Sequence, residues 1–271
     1  MKEFFEKLEH SLTSFDTGLD ELNDYLHKFV STGGKRVRAK LGFYLIQSHN
    51  EKISDTQIEL LSAGELMHSA SLIHDDIIDS ANTRRELTTL HNIYDSKLAV
   101  IAGDFLASIA LNKILALNNT QISTLFLNTF QNMCIAEFKQ YFEKGSIPEL
   151  NSYLKKNEEK TANLFASILE GCAILSKNIP LENSKQLGLA YGRAFQLKND
   201  LSDFSKNNST DQNNKTFTAP NIFLSKGVTE KIAIEKTINL IDNEKKVMRS
   251  LIKSIPHNEY KTELINMIEE L

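Results

Sequence analysis

Apolar residues recur at three- and four-residue spacing over long stretches of this sequence, with no sustained alternation of apolar and polar residues. Only 4 prolines and 11 glycines punctuate the 271 residues. This periodicity predicts an all-α fold, because a helix repeats every 3.6 residues and a strand every two. Helix breaks are predicted at residues 31–35, 49–52, 116–121, 144–150 and 176–180. The segments between them have helical length, so we predict one large helical bundle spanning residues 1–271.

The charge balance is nearly even, with 31 Lys and Arg against 35 Asp and Glu and a formal net charge of -4. This balance argues against nucleic acid as a partner bound through bulk electrostatics. The two cysteines, Cys134 and Cys172, lie far apart without metal-ligand spacing, which is typical of buried thiols in a reducing compartment. The sequence shows no signal peptide and no run of about 18 uninterrupted apolar residues. We therefore predict a cytoplasmic protein without a transmembrane anchor.

The stretch LIHDDIIDSANTRR, residues 72–85, crowds three carboxylates into an apolar setting. On a helix Asp75, Asp76 and Asp79 project toward one region of the surface, where their mutual repulsion disfavours the helix. A hard cation such as Mg²⁺ would turn this net repulsion into a net attraction. It prefers oxygen ligands and usually binds through one or two carboxylates plus substrate phosphates. The alternative is a solvated acidic face, which the apolar neighbours disfavour.

A second acidic cluster lies in FQLKNDLSDF, residues 195–204, where Asp200 and Asp203 are three residues apart and follow Asn199. Two carboxylate-bearing helices that face each other across a bundle build a metal site in its core. Taken alone, this pair is typical of a surface helix. Together with the first cluster it predicts a shared Mg²⁺ site.

Cationic side chains occur in three places that complete a diphosphate site. They are Lys35, Arg36 and Arg38 in GGKRVR, Arg84 and Arg85 directly after the first acidic cluster, and Lys160 with Thr161 in EEKTANLF. Each group alone is typical of a solvated basic surface. A diphosphate bound through Mg²⁺ also needs positive side chains, so the groups and the acidic clusters together predict a diphosphate-binding protein.

These motifs, in this order over roughly residues 33–220, resemble the trans-isoprenyl diphosphate synthase (polyprenyl synthetase) family. GGKRVRA resembles the first basic motif of the family and HDDIID its first aspartate-rich motif. The resemblance implies an isoprenoid synthase bundle with a central apolar cavity, a homodimer, and Mg²⁺ as cofactor. It also implies the reaction, in which an allylic diphosphate ionises and is condensed with isopentenyl diphosphate to a trans-polyprenyl diphosphate.

The resemblance also implies a role for each matching residue. Mg²⁺ would be held by Asp75, Asp76, Asp79, Asp200 and Asp203. Isopentenyl diphosphate would be bound by Lys35, Arg38, His68 and Arg85. The allylic diphosphate would be bound by Arg84, Lys160, Thr161 and Gln196, and Lys215 would be a further substrate contact. The residues expected to carry catalysis are Asp75, Asp76, Asp79, Lys160 and Asp200.

The sequence departs from the family pattern at three points. Asn199 stands where the second motif begins with aspartate, which removes one negative charge from the predicted metal site. Glu86 stands where the family has glycine after the paired arginines. The stretch NKTFTAP around Lys215 follows the lysine-containing loop of the family only loosely.

Small residues precede the first acidic cluster, with Ala70 and Ser71 five and four positions before Asp75. A hydrocarbon tail bound at Asp75 would run along this helix face. In the family aromatic residues here resemble a floor, so small ones imply a product longer than farnesyl. Such an apolar product implies transient contact with membranes on release.

Three other functions stay open at this point. A class I terpene cyclase shares the bundle and the first acidic motif. A metal-dependent phosphohydrolase of the His-Asp type is compatible with His74 beside Asp75. A non-catalytic or weakly active subunit of a heteromeric prenyl synthase is compatible with Asn199.

Overall fold

The structure, a computed structural model, describes residues 1–32, 34–143, 145–205 and 217–271. Within these residues the α-helices are α1 Lys2–Leu12, α2 Asp20–Ser31, α3 Val37–Ser48, α4 Asp55–Ile78, α5 Leu90–Ile93, α6 Ser96–Ala116, α7 Thr120–Phe142, α8 Leu150–Asn157, α9 Asn163–Ile174, α10 Leu181–Ser205, α11 Ala219–Ser225, α12 Glu230–Leu251 and α13 Glu259–Glu269. A π-helix, π1, spans Glu158–Ala162, and strands β1 (Thr83–Arg84) and β2 (Leu87–Thr88) form a hairpin. The all-α prediction is confirmed.

The long helices pack around one hydrophobic core, whose buried residues run from Phe4 to Ile268. Within it α4 packs along α6, and α9 packs along α10. Gly188 on α10 permits the second contact, because a Cβ added there would lie 2.5 Å from the Ala166 Cα. The backbones of α9 and α10 therefore approach more closely than larger residues would allow.

Polar caps set where the long helices begin. Ser54 and Gln57 form a capping box on α4: the Gln57 N–H donates to Ser54 Oγ at 3.2 Å, and the Ser54 N–H donates to Gln57 Oε1 at 2.9 Å. Asp95 caps α6 by accepting from the Leu98 N–H at 2.8 Å. These caps fix the first residue of α4 and of α6, and α4 then runs to the acidic cluster at its other end.

The hairpin turns through Arg85 and Glu86, whose φ angles of 52° and 67° lie in the left-handed region. Thr83 pairs with Thr88 and Arg84 with Leu87, so the connecting loop has two residues. The position of Glu86 favours glycine, which explains why its departure from the family pattern matters locally. The tight turn sends the neighbouring Arg84 and Arg85 side chains to different places.

Helix α6 has an unusual surface. Its mean hydropathy of 1.7 and its 21 residues make it the one helix of the described chain that is long and apolar enough to cross a membrane. Sequence inspection predicted no such segment. One side of α6 packs on α4 and α7, yet only 39% of the most apolar stretch of this helix is buried. Apolar side chains, including Ile101 at 63% exposure, are therefore exposed on one face of α6, and no element within residues 1–32, 34–143, 145–205 and 217–271 covers them.

Candidate active site

Three cavities border one another among α3, α4, π1 and α10. The basic pocket (about 370 Å³) is lined by residues that include Lys35, Arg38, Glu65, His68, Arg85 and Lys198. The apolar cavity (about 460 Å³) is lined by residues that include Ser71, Leu72, Asp75, Phe130, Met133, Glu137, Lys160 and Leu164. The acidic pocket (about 170 Å³) is lined by residues that include Asp79, Gln140, Tyr153, Lys160, Asp200 and Asp203.

Neighbouring cavities share wall residues. Arg38, His68 and Asn199 line both the basic pocket and the apolar cavity. Lys160 and Gln196 line both the apolar cavity and the acidic pocket. A molecule in the basic pocket and one in the apolar cavity would therefore lie side by side, with the acidic pocket on the far side of the second.

Arg38 is a buried cation placed on the wall of the basic pocket. Its guanidinium carbon lies 4.4 Å from the centre of the Phe165 ring. Burial lowers the pKa of Arg38 to about 10, and the nearby Glu65 carboxylate partly offsets this. Its buried Nε has no hydrogen-bond partner among the described residues. Arg38 therefore keeps a positive charge and a spare donor at neutral pH, which is what a diphosphate requires.

Arg36 differs from its neighbours in the GGKRVR stretch. It has a left-handed φ of 49°, and its guanidinium donates to both Glu9 oxygens at 2.7 and 2.8 Å. Its Nη2 also donates to the Val30 carbonyl. These bonds tie the start of α3 to α1 and α2. Arg36 lines the basic pocket together with Lys35, but most of its donors are used within the fold.

The paired arginines of the hairpin serve different elements. Arg84 binds Asp76, with Nε and Nη2 each 2.7 Å from Asp76 Oδ1. Burial raises the pKa of Asp76, although Arg84 opposes the shift. Neither residue lines any of the three cavities, so the structure places Asp76 and Arg84 in an ion pair rather than on a substrate-facing wall. Arg85 instead lines the basic pocket, where it contacts the Thr32 carbonyl at 3.4 Å.

Lys160 lies at the centre of a charge cluster between the apolar cavity and the acidic pocket. Its Nζ is 3.7 Å from Asp75 Oδ1 and forms an ion pair with Glu137. Burial alone would lower the pKa of Lys160, but Asp75 and Glu137 outweigh it and the pKa is raised. Burial raises the pKa of Glu137, with Lys160 opposing the shift. The ammonium therefore stays charged at the polar end of an apolar cavity.

The two acidic clusters do face each other, because Asp79 at the end of α4 lines the same pocket as Asp200 and Asp203 on α10. Asp200 is 4% exposed. It accepts hydrogen bonds from the Ala219 N–H at 3.0 Å, from Gln196 Nε2 at 3.1 Å and from the Tyr153 hydroxyl. Asp203 is exposed at the mouth of the pocket. Of the first cluster only Asp79 shares this pocket with Asp200 and Asp203, whereas Asp75 lines the apolar cavity.

The donor set of these cavities fits Mg²⁺. In the part of the chain that the structure describes, no three His, Cys, Asp or Glu side chains converge as a preformed metal site. Asp75, Asp79 and Asp203 nevertheless line adjoining cavities, and all three offer carboxylate oxygens as ligands. Thr218 Oγ1, buried at the acidic pocket, has no hydrogen-bond partner in the described parts of the chain. Mg²⁺ usually binds through one or two carboxylates, water and substrate phosphates, so separated carboxylates suit it better than a closed cage.

The remaining predicted site residues fall in different places. Thr161 Oγ1 donates to Gln196 Oε1 at 3.2 Å, and both line the apolar cavity. Ser71 lines the apolar cavity as well, whereas Ala70 is 1% exposed and packs in the core. The step of about 100° between successive helical residues explains why only one of these neighbours reaches the cavity. Lys215 lies outside the described residues.

Sequence reasoning missed the far wall of the apolar cavity. Phe130 and Met133 on α7 and Leu164 on α9 form much of it. These residues lie on ordinary amphipathic helices, and no short motif marks them. Their role depends on which helices are adjacent, which hydrophobic periodicity does not reveal.

Comparison with known proteins gives the same fold. The geranylgeranyl pyrophosphate synthase structure from Lactobacillus brevis aligns over 99% of this chain and 95% of its own, with a TM-score of 0.89 and 19% identity. The octaprenyl pyrophosphate synthase structure from Helicobacter pylori aligns over 99% of both chains, with a TM-score of 0.85 and 23% identity. The chain is therefore an all-α protein of the isoprenoid synthase fold.

A family model described as Polyprenyl synthetase matches residues 19–255. The chain is 32% identical to a decaprenyl-diphosphate synthase of Dictyostelium discoideum over 178 residues, which is 64% of this chain and 38% of that protein. It is 32% identical to solanesyl diphosphate synthase 2 of Arabidopsis thaliana over 213 residues, 72% of this chain and 51% of that protein. The matched region thus spans 38% and 51% of the length of these two relatives. The chain belongs to the polyprenyl synthetase family, as its motifs indicated.

The pKa of His68 generates a prediction about stability. Burial lowers this pKa well below the usual 6.5, and Arg38 and Arg85 add to the effect. Below pH 6.5 the unfolded chain therefore binds a proton that the folded protein does not. Stability should be fully present above pH 6.5 and fall below it, with a slope of up to about 1.4 kcal/mol per pH unit.

Urea denaturation of the wild type and of His68→Gln between pH 7.5 and 5.5 measures this slope. The substitution should remove it, whereas His257→Gln at an exposed position should retain it. Equal slopes in the wild type and His68→Gln would show that another group dominates.

Proposed function

We propose that this protein is a magnesium-dependent trans-prenyltransferase that condenses an allylic diphosphate with isopentenyl diphosphate. The observation that carries the proposal is the shared wall formed by Arg38, His68 and Asn199. It separates two adjoining cavities that differ in character, one lined by cations and one largely apolar. Such a pair suits two diphosphate substrates whose hydrocarbon parts must meet.

The basic pocket suits the diphosphate of isopentenyl diphosphate. Lys35, Arg38 and Arg85 supply positive charge on its wall. The lowered pKa of His68 keeps its imidazole neutral at neutral pH, so it adds a hydrogen bond without further positive charge. These residues would orient the substrate with its alkene toward the apolar cavity, which turns the encounter of two substrates into a positioned reaction.

The opposite end of the apolar cavity suits the allylic diphosphate. Lys160 and Thr161 would contact its oxygens, and Asp75, Asp79 and Asp203 would hold Mg²⁺, which supplies positive charge to the leaving diphosphate. Breaking the carbon–oxygen bond leaves an allylic cation. The alkene of isopentenyl diphosphate attacks that cation, a carbon–carbon bond forms, and a proton is lost. The Lys160 ammonium stabilises the negative charge that develops on the departing group.

The apolar wall protects the cation from water. Leu72, Phe130, Met133 and Leu164 line the cavity beyond the charge cluster. A wall of this kind excludes water that would otherwise add to the cation and end the reaction. Ser71 is small and lines the same cavity, which leaves room for a long chain. We propose a product longer than farnesyl, in keeping with relatives named decaprenyl and solanesyl diphosphate synthases.

The alternatives are less well supported. A terpene cyclase would have no use for the basic pocket, because it takes no isopentenyl diphosphate. His74 contacts the Val100 carbonyl at 3.2 Å and Asp104 at 3.5 Å, which links α4 to α6 rather than to another histidine. The relatives are named as prenyl transferases and polyprenyl diphosphate synthases, which does not favour a cyclase or a non-catalytic subunit.

We further propose that two copies of this chain associate through α6 and α7. Ile101 on α6 and Phe138 on α7 are 63% and 64% exposed. Exposed apolar surface of this extent on two neighbouring helices is typical of a protein–protein interface. The helices also carry Asp104 and Glu137 on the wall of the apolar cavity, so the proposed interface would lie directly behind it.

Substituting Asp75 tests the function. Asp75→Asn should lower incorporation of labelled isopentenyl diphosphate on the order of 10²-fold, because charge stabilisation at the leaving group is lost. Asp242→Asn, on an exposed turn of α12, should stay within about twofold of wild type. Purified wild-type protein that incorporates no label would contradict the proposed function, and Asp75→Asn with wild-type activity would contradict the role of Asp75.

Substituting Ser71 tests the product length. Ser71→Phe places an aromatic ring in the apolar cavity and should shorten the main product by at least one five-carbon unit, measured by chromatography of the dephosphorylated products. Ser71→Ala places no bulky side chain in the apolar cavity and should leave the product length unchanged. An unaltered product from Ser71→Phe would show that the tail does not pass this wall.

Substituting Ile101 tests the association. The wild type should run in light scattering at twice the 30.7 kDa mass of one chain. Ile101→Glu places a charge on the proposed interface and should shift the protein toward that single mass, whereas Lys97→Glu at another exposed position of α6 should not. A wild type of one-chain mass would rule out the dimer.

A further inference from the structure

The predicted allylic contacts Lys160 and Thr161 belong to π1. The Asn163 N–H bonds to the Glu158 carbonyl five residues earlier, so one turn is wider than in an α-helix. Such single π-turns are rare, are less favourable than α-helix, and occur frequently at functional sites. π1 therefore depends on neighbouring elements to keep its shape. The direction of the Lys160 side chain depends on π1 in turn.

Helix α10 approaches π1 without any side chain between them at one point. A Cβ added to Gly192 would collide with the Ala162 Cα. This contact brings the next residue, Arg193, alongside the start of π1. The glycine fixes the distance between the two elements but does not by itself set the rotation of π1, to which a polar contact from α10 also contributes.

Arg193 supplies that contact. Its Nη1 donates to Glu158 Oε2 at 2.8 Å. Its Nε and Nη2 donate to both carboxylate oxygens of Glu244 on α12, at 3.0 and 2.9 Å. The Arg193 side chain is 23% exposed, so water screens these charge-assisted bonds less than it would on an open surface. A planar guanidinium held by two carboxylates is rigid, and it joins π1 to α12.

The opposite side of π1 is held by a second ion pair. Lys139 on α7 pairs with Glu159, the residue after Glu158. Two adjacent residues of π1 are therefore bound by cations from different helices: Glu158 by Arg193 on α10, and Glu159 by Lys139 on α7. Lys160 is the next residue along the chain, so both ion pairs restrict the backbone that carries its side chain.

We infer that Arg193 is a positioning residue, which holds π1 through Glu158 and so places Lys160 and Thr161 at the allylic diphosphate. Arg193 lines none of the three cavities described above and so does not touch substrate there. The inference rests on the proposed function for the identity of the diphosphate. It assigns the Glu158–Arg193–Glu244 bridge the task of coupling α12 to the site.

A kinetic experiment separates positioning from general stability. Arg193→Gln and Glu158→Gln should each raise the KM for the allylic diphosphate about 5- to 10-fold and leave the KM for isopentenyl diphosphate within about twofold. The double variant should be no worse than Arg193→Gln alone, because that substitution already removes the bond to Glu158. The control Lys113→Gln breaks a partly exposed ion pair with Glu59 between α6 and α4, and should change neither KM.

A second measurement needs neither substrate nor turnover. Amide hydrogen exchange at residues 159–163 of the ligand-free protein should become faster in Arg193→Gln and Glu158→Gln, but not in Lys113→Gln. This result would stand even if the wild type failed to incorporate isopentenyl diphosphate, which would overturn the proposed function alone. Calorimetric titration with magnesium pyrophosphate should likewise show weaker binding in both variants.

Three outcomes would overturn the inference. Exchange in π1 that does not change, equal increases in the KM of both substrates, or single-variant effects that multiply in the double variant would each show that Arg193 does not act through Glu158.

Discussion

Charge buried inside an apolar bundle is the constraint on which the rest of the structure depends. A single carboxylate or ammonium at this depth is strongly disfavoured, and opposite charges at close range offset the cost. Lys160 lies between Asp75 and Glu137, and Asp76 is paired with Arg84. The cavities exist because charges neutralise one another across helices that are apolar elsewhere. A bound diphosphate would alter this balance by adding negative charge beside Lys160.

The helices were predictable because their signal is local. Helix ends at residues 31, 48, 116, 142 and 174 lie at or within two residues of the predicted breaks. The hairpin and π1 were not predicted. Hairpin formation through Arg85 and Glu86 uses left-handed conformations that these residues do not favour, so turn chemistry carried no signal. π1 packs against Gly192, which is distant in sequence, and no local pattern marks it.

The candidate site was predictable to the level of motifs but not of side-chain direction. Both acidic clusters and the basic groups were identified from spacing, and Asp79, Asp200 and Asp203 do share a pocket. The sequence did not distinguish Asp75, which faces the apolar cavity, from Asp76, which pairs with Arg84. The rotation of α4 about its own axis determines which of the two carboxylates faces the cavity, and tertiary packing sets that rotation. The resemblance to the family correctly identified the fold, since the same motif order requires the same helix order.

The two-residue loop of the hairpin has a consequence for register. Arg84 and Arg85 are joined by a single peptide bond, yet one guanidinium neutralises an acid at the end of α4 while the next lines a pocket beyond it. A two-residue loop allows little variation in backbone conformation, so the strand pairing determines the direction of each arginine side chain. A one-residue slip of the strand pairing would turn the Arg84 side chain to the other face of the hairpin. Nearby insertions should therefore be far less tolerated than substitutions.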